Sequence, residues 1–532
     1  MFKNKLLALM LGASILMFVS GVSAKTLIYC SEASPEGFDP AISASGTTFD
    51  ASAWAMFDRL VEFGAENADI HPGLAESWSV SDDGLEYTFN LRKGVKFHTT
   101  NYFKPTRDMN ADDVVFSFQR AIDPQNPWHN YMNGISYQYF DSMGLSKLIK
   151  DVVKVDDYTV KIVLKQPEAP FLADLAMPFA SIFSKEYAEQ LEKQGKMELY
   201  NQKAVGTGPF TFVNYQRDTV IRFAGNPEYF QGKPKIDDLI FSITKDPNIR
   251  AQKLKVGECD IMAYPAPADI KSLREDPNLK VQEALGMNVA YMAYNTLQAP
   301  FDKAEVRLAL NMAINKQAIV DAIFEGDAMV GKNPIPPTIW GYNDAISPDE
   351  YNPAKAKEML EEAGVKDLSM KLWALPVSRP YMPNARLAAE IIQADLAKIG
   401  VKVEIVSVEW ANYFKEGARR DRDGAVIMGW SGDNGDPDNF LGILNSCESI
   451  GTNNFSNWCY KPFEDLIVKA RMITNRDERI KLYEQAQVIF KEEAPWLVLD
   501  HSNLYTPMNK KVNGFHINPI AGFRFKTVDI EE

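Results

Sequence analysis

Histidine, cysteine and long apolar runs are all scarce in this 532-residue chain, and each scarcity removes a class of function. The five histidines, His71, His98, His129, His501 and His516, are scattered. They form no dedicated heme-ligating or catalytic set, and each reads as a surface or hydrogen-bonded structural residue. The four cysteines form no CxxC and no Cys/His spacing, which leaves the usual zinc patterns without support. No HExxH or P-loop occurs, and Gly206-Thr207-Gly208 lacks the third glycine of a dinucleotide fingerprint. Gly429-Trp430-Ser431-Gly432-Asp433 ends in Asp where a nucleophile elbow needs Gly. A calcium loop begun at Asp433 or Asp436 would end at Leu444 or Cys447 instead of Glu, so Asp436 and Asp438 read as turn residues. No metal, no cofactor and no enzymatic activity is expected.

The one long apolar run extends from Leu6 to Val19, after Lys3 and Lys5 and before Val22-Ser23-Ala24. That is the layout of a cleaved export signal, residues 1–24, with the mature chain starting at Lys25. It is too short for a spanning helix, and no later run could cross a bilayer. No cysteine stands at the cleavage point, so the reading is release into a Gram-negative periplasm without a lipid anchor. A net charge of −14 argues against a nucleic-acid partner. The acidity has no long block of one sign, and its plainest reading is solubility.

What remains is 46% hydrophobic, 24% charged and 30 prolines, the composition of a well-packed globular protein. Its length calls for at least two domains. In an oxidising compartment the cysteines should form disulfides. Three pairings are formally possible. Cys447 and Cys459 enclose a short Gly/Asn/Ser-rich segment and pair most naturally, which leaves Cys30 with Cys259.

Helical and strand patterns interleave throughout, the mark of an α/β protein. Between Ser369 and Gly432 the pattern is clearest. Met370, Leu372 and Ala374 alternate with Lys371 and Trp373 as in a strand that Pro376 ends. A loop with Arg379 follows, then a helix capped by Asn384, with Leu387, Ile391, Ile392, Leu396 and Ile399 on its apolar side and Gly400 at its end. Val401–Val408 reads as a strand, Ala411–Arg420 as a helix and Ala425–Gly429 as a third strand. Such a series implies parallel pairing. Ligands bind where loops leave the carboxyl ends of such strands. Arg379 and Asp433 both lie in loops of that kind, and a cation with an anion on one edge suits a zwitterion.

Four segments carry a resemblance over nearly the whole mature chain: Leu74-Ala75-Glu76-Ser77-Trp78, Tyr87-Thr88-Phe89-Asn90-Leu91-Arg92, Asn110-Ala111-Asp112-Asp113-Val114-Val115-Phe116-Ser117 and Gly206-Thr207-Gly208-Pro209-Phe210. With them the chain resembles the extracytoplasmic peptide- and nickel-binding receptors of solute-binding protein family 5. Within that family, Lys25–Phe38, Ser45-Gly46-Thr47-Thr48, Arg379-Pro380-Tyr381 with Pro383-Asn384, and Gly429–Phe440 are most similar to the dipeptide-binding branch. The heme- and glutathione-binding branch is similar around Gly429–Phe440 as well. Tyr381 after Arg379-Pro380, and the presence of both Cys447 and Cys459, favour dipeptide.

The resemblance implies a two-lobed, type II periplasmic-binding-protein fold with a hinge and an interlobe cleft. Lobe one would comprise 25–285 and a return segment 503–532, and lobe two 286–502. It implies that Asp433 meets a ligand's α-ammonium and Arg379 its carboxylate. Ser45, Gly46, Tyr381, Trp430 and Gly432 would supply backbone or wall contacts. It also implies the Cys30–Cys259 and Cys447–Cys459 pairs, a dipeptide ligand, an inner-membrane ABC permease as partner, and a monomer.

Overall fold

The computed structural model describes residues 24–134, 137–520 and 522–531. The export signal read from residues 1–24 lies, but for Ala24, outside the described residues. Among the described residues no helix is long and apolar enough to cross a membrane.

Two large cores organise the chain, as a two-lobed α/β fold requires. The first gathers residues from Leu27 to Ala263 and again from Met508 to Ile530. Its spine is the strand Thr26–Ser31, which pairs in parallel with Asp238–Ile243 and buries Leu27 and Tyr29 completely. Tyr29 meets Phe241, Phe523 and Phe525 at ring-centroid distances of 4.8, 4.7 and 5.1 Å, so the carboxyl-terminal segment is packed into the same core. The second core runs from Met287 to Leu499. The chain returns from it along the strand Trp496–Asn509, whose first residues belong to the second core and whose Met508 belongs to the first. Asn288 grips this strand where the two cores meet, donating from Nδ2 to Ser502 O (3.1 Å) and accepting from Ser502 N (2.9 Å).

In lobe two the strand–helix series forms as its periodicity predicts. Ser369–Trp373 pairs in parallel with both Lys402–Val406 and Ala425–Ser431. The helix Ala385–Ala397 starts at Asn384, whose side chain accepts from Leu387 N, and the chain leaves its last turn through Gly400 at φ +87°. The deepest residues on this helix are Ala385, Ala388, Ala389, Ile392 and Leu396. Leu387 and Ile391 lie at the edge of the buried stripe, because small alanines let the helix sit close on the sheet. The sheet is mixed, since Ala425–Ser431 pairs antiparallel with Asn288–Tyr294 on its other side.

Both disulfides form, Cys30 with Cys259 and Cys447 with Cys459, at Cα–Cα distances of 5.8 and 4.7 Å. Cys30–Cys259 anchors a small third cluster with Leu254, Met262, Leu273 and Leu279. Chain-entropy arithmetic gives the 12-residue span of Cys447–Cys459 about 3 kcal/mol and the 229-residue span of Cys30–Cys259 about 5 kcal/mol. Denaturant unfolding of Cys447→Ser/Cys459→Ser and Cys30→Ser/Cys259→Ser variants should therefore show the larger loss for the longer span. Equal losses, or the reverse order, would mean that packing around each sulfur dominates loop closure.

Candidate functional site

The strands Ser369–Trp373 and Ala425–Ser431 are parallel neighbours, so the loops after them rise from one edge of the sheet. Trp373 is level with Val426, which leaves the second strand projecting several residues further. The Arg379 loop makes up that difference. Arg379 and Met382 exchange both backbone hydrogen bonds (3.2 and 3.0 Å), with Pro380 and Tyr381 at the turn between them. Ser502 Oγ donates to Pro380 O at 3.0 Å. Tyr381 is buried and its ring lies against Gly429, where an added Cβ would stand 2.3 Å from Tyr381 Cδ2. Gly429 is thus required by a close approach that raises the loop alongside the projecting strand. Burial pushes the Tyr381 phenol up to about 12, and its hydrogen bond with Arg379 pulls the other way.

Asp433 is held by Asn439, which lies six residues on in the helix Asp438–Asn445. Asn439 Oδ1 accepts from both Trp430 Nε1 (2.9 Å) and Asp433 N (3.0 Å), and its Nδ2 donates to Asp433 Oδ2 at 3.3 Å. One amide therefore orients the tryptophan wall, the turn and the carboxylate together. The other carboxylate oxygen, Oδ1, accepts at 3.0 Å from the hydroxyl of Tyr139, a lobe-one residue. Burial pushes the Asp433 carboxyl up to about 6, although the bonds from Tyr139 and Asn439 stabilise its charged form. Asp436 and Asp438 do turn here, Asp438 N donating to Asp436 Oδ1 at 3.0 Å. They also pair with arginines: Asp436 takes a two-pronged bond from buried Arg479 (2.7 Å each) and Asp438 lies 3.2 Å from half-buried Arg471.

Between the lobes lies a cleft of about 1180 Å³. Gly46 and Thr47 face it from lobe one, and Met287, Arg379, Pro380 and Ser431 from lobe two. Of the residues read from sequence, Gly46 and Arg379 thus share this space. Ser45 spends its hydroxyl as the cap of the helix Gly46–Ala51, accepting from Thr48 N at 3.3 Å. Gly432 is enclosed by Phe440 and Met287, Tyr381 and half-buried Trp430 are packing walls, and Asp433, two residues beyond the cleft-lining Ser431, is not itself among the lining residues and lies against Tyr139. The edge is closed further by Asn434 Nδ2 donating to Asp174 Oδ1 at 2.7 Å and by Ala169 N donating to Arg471 O at 2.7 Å, both across the lobes. Burial pushes the Asp174 carboxyl up to about 8. Sequence reading missed Tyr139, Asp174 and Asn439. The first two lie in segments without a readable period, whereas Asn439 carried a signal as a polar residue one position inside a helix that follows a turn.

The loops after two parallel neighbours thus carry a cation and a carboxylate on one sheet edge, next to a large cleft between two bodies. Known proteins agree. A dipeptide-binding protein of Escherichia coli (strain K12) is 51% identical over 534 residues, 99% of each chain. A heme-binding protein A of Haemophilus influenzae is 47% identical, covering 96% of this chain and 93% of that one. A dipeptide binding protein from Pseudoalteromonas, solved in complex with Met-Leu, superposes with a TM-score of 0.81 at 37% identity, covering 95% of this chain and 100% of that one. Residues 69–452 match the family described as bacterial extracellular solute-binding proteins, family 5 Middle, and with this fold and cleft the chain belongs to that family.

Proposed function

We propose that this protein captures dipeptides between its lobes in the periplasm and delivers them, as a monomer, to an inner-membrane ABC permease. The observation that carries the reading is the placement of Arg379 and Asp433 in loops on one edge of adjacent parallel strands, at the border of an interlobe cleft. Asp433 takes the ligand ammonium and Arg379 its carboxylate, which fixes the distance between the two ends. Lobe one is 25–285 with 503–532, lobe two is 286–502, and residues 1–24 are removed on export. Ligand that touches Gly46 and Arg379 at once favours the closed form, because it meets both lobes only there. The activity is binding, with no chemical change to the ligand.

Calorimetry tests the reading with a dipeptide, the pentapeptide extended from it, and the free amino acids. The dipeptide should bind far better than either. Equal affinity for dipeptide and pentapeptide would replace the fixed-length site with a general oligopeptide groove. Native mass spectrometry of protein purified without refolding reads the retained ligand directly, and a glutathione or heme mass would assign the chain to that use.

Affinity should also depend on pH. The ammonium favours the charged form of Asp433, so binding lowers its pKa below the free value of about 6. Above that value the carboxylate is already charged and affinity is level. As pH falls through about 6, affinity drops towards tenfold per unit, and binding at pH 5.5 releases protons to the buffer. Above about 8 the ligand amine loses its own proton and affinity falls again. Titrations from pH 5 to 9 in buffers of different ionisation enthalpy measure both limbs. A flat profile between pH 5 and 7 would remove Asp433 from the ammonium.

A further inference from the structure

The loop that carries Asp433 is tied to lobe one by residues that take no part in lining the cleft. Asn434, the next residue, is only 3% exposed, and both ends of its amide are engaged. Its Oδ1 accepts from Asp436 N at 3.0 Å, which fixes the turn, and its Nδ2 donates across the lobes to Asp174 Oδ1 at 2.7 Å. Asp174, at the end of the short helix Phe171–Asp174, is itself only 4% exposed. Just ahead of that helix, Ala169 N donates across the lobes to Arg471 O at 2.7 Å. The Arg471 side chain lies 3.2 Å from Asp438 and 3.7 Å from Glu168, so it also joins a carboxylate of lobe two to one of lobe one. Gly435 completes the seam. Its φ is +72°, and a Cβ there would stand 2.1 Å from Ala68 Cβ, so lobe one leaves no room for a side chain.

These contacts exist only while the lobes are together. Parting the lobes returns the Asn434 amide and the Asp174 carboxyl to water, which replaces the partner each loses. Deleting one partner therefore penalises the closed form alone, because only there is the other left buried and unpaired. A ligand enclosed between two lobes leaves when they part. Contacts that resist parting lengthen its stay without touching it, and they act on the dissociation rate more than on the association rate.

We propose that the Asp174–Asn434 bond, the Ala169–Arg471 bond and the Ala68–Gly435 contact form a clasp that holds the lobes together with or without ligand. Asp174 and Asn434 are then positioning residues, which set Asp433 against lobe one and slow the departure of ligand. The effect on ligand rests on the dipeptide reading above, whereas the clasp itself does not. Amide hydrogen exchange on the chain freed of ligand tests the clasp alone. Ala169 should be protected in the wild type. Asp174→Ala, which leaves the Asn434 amide unpaired, should speed its exchange about 5- to 100-fold. Ala68→Leu, a wedge placed in a loop far along the sequence, should also speed it while removing no hydrogen bond. This second variant carries the test if Asp174→Ala does not fold. Stopped-flow with the dipeptide Ala-Leu then reads the hold on ligand. Asp174→Ala should raise the dissociation rate by the same factor as the exchange and leave association little changed. Asp174→Asn, whose amide oxygen can take the bond from Asn434, should dissociate like wild type. Free exchange at Ala169 in the wild type, or exchange unmoved by both Asp174→Ala and Ala68→Leu, would overturn the clasp. Faster exchange with an unchanged dissociation rate would overturn its hold on ligand. Protection at Ala169 that the variants remove, in a chain to which Ala-Leu does not bind, would uphold the clasp and sink the dipeptide reading instead.

Discussion

Replacing Asp433 with Asn should weaken dipeptide binding by roughly 30-fold to a few thousand-fold, the cost of about 2 to 5 kcal/mol for losing one side of a desolvated charge pair. The surroundings can accept the change. The carbonyl oxygen of the substituted side chain can take the bond from Asn439 Nδ2, and the Tyr139 hydroxyl, which donates to Asp433 Oδ1 at 3.0 Å, can rotate to accept from the new amide. A carboxyl whose folded pKa is raised, here to about 6, costs stability above that pH, because the unfolded chain ionises it more easily. The ligand-free variant should therefore melt no lower than wild type at pH 7 while its affinity collapses. Arg379→Gln should lose a similar factor through the ligand carboxylate. Ligand capping supplies the cross-check, since N-acetylation should injure wild type badly and add little to Asp433→Asn, and C-amidation should do the same with Arg379→Gln. If the Arg379 change instead abolished sensitivity to N-acetylation, the ligand would lie the other way round. Full binding by both folded variants would move the site elsewhere.

How much of this was readable beforehand depended on whether a residue's role is set by its neighbours in sequence. The strand–helix series from Ser369 to Ser431 was legible because alternation, the Asn384 cap and Gly400 are local signals. The parallel edge that carries Arg379 and Asp433 followed from it. The antiparallel partner Asn288–Tyr294 did not, because every residue of that strand is buried and so shows no alternation. Tyr139 and Asp174 were invisible for a different reason. Each acts on lobe two from lobe one across hundreds of residues, and nothing local distinguishes a tyrosine that touches a carboxylate from one that fills a core. Ser45 was legible as a residue near the cleft but not as a cap, since the helix it starts is only six residues long. Family likeness supplied its place, and local hydrogen bonding took its hydroxyl.

The second large effect is on stability, at Asp39 and Arg120. Both side chains are fully buried, and Arg120 donates to the two Asp39 oxygens at 2.8 and 2.9 Å. Tyr131 adds a hydroxyl bond to Asp39 at 2.6 Å, and the Phe183 ring lies 3.8 Å from the guanidinium carbon. Asp39 also caps the turn Pro40–Ile42, accepting from Ala41 N, so the pair ties the helix Ala111–Ile122 to the segment that leads into Ser45 and Gly46. Arg120→Met strands a buried carboxylate and Asp39→Asn strands a buried guanidinium, and each should cost about 3 to 5 kcal/mol in denaturant unfolding at pH 7. In Arg120→Met/Asp39→Asn neither charge is left alone, so the double variant should lose clearly less than the sum of the singles. Ligand affinity at the folded plateau should change little, since neither residue lines the cleft. Single losses below about 1 kcal/mol that simply add in the double variant would show that water reaches this pair and that its burial does not hold the lobe-one edge in place.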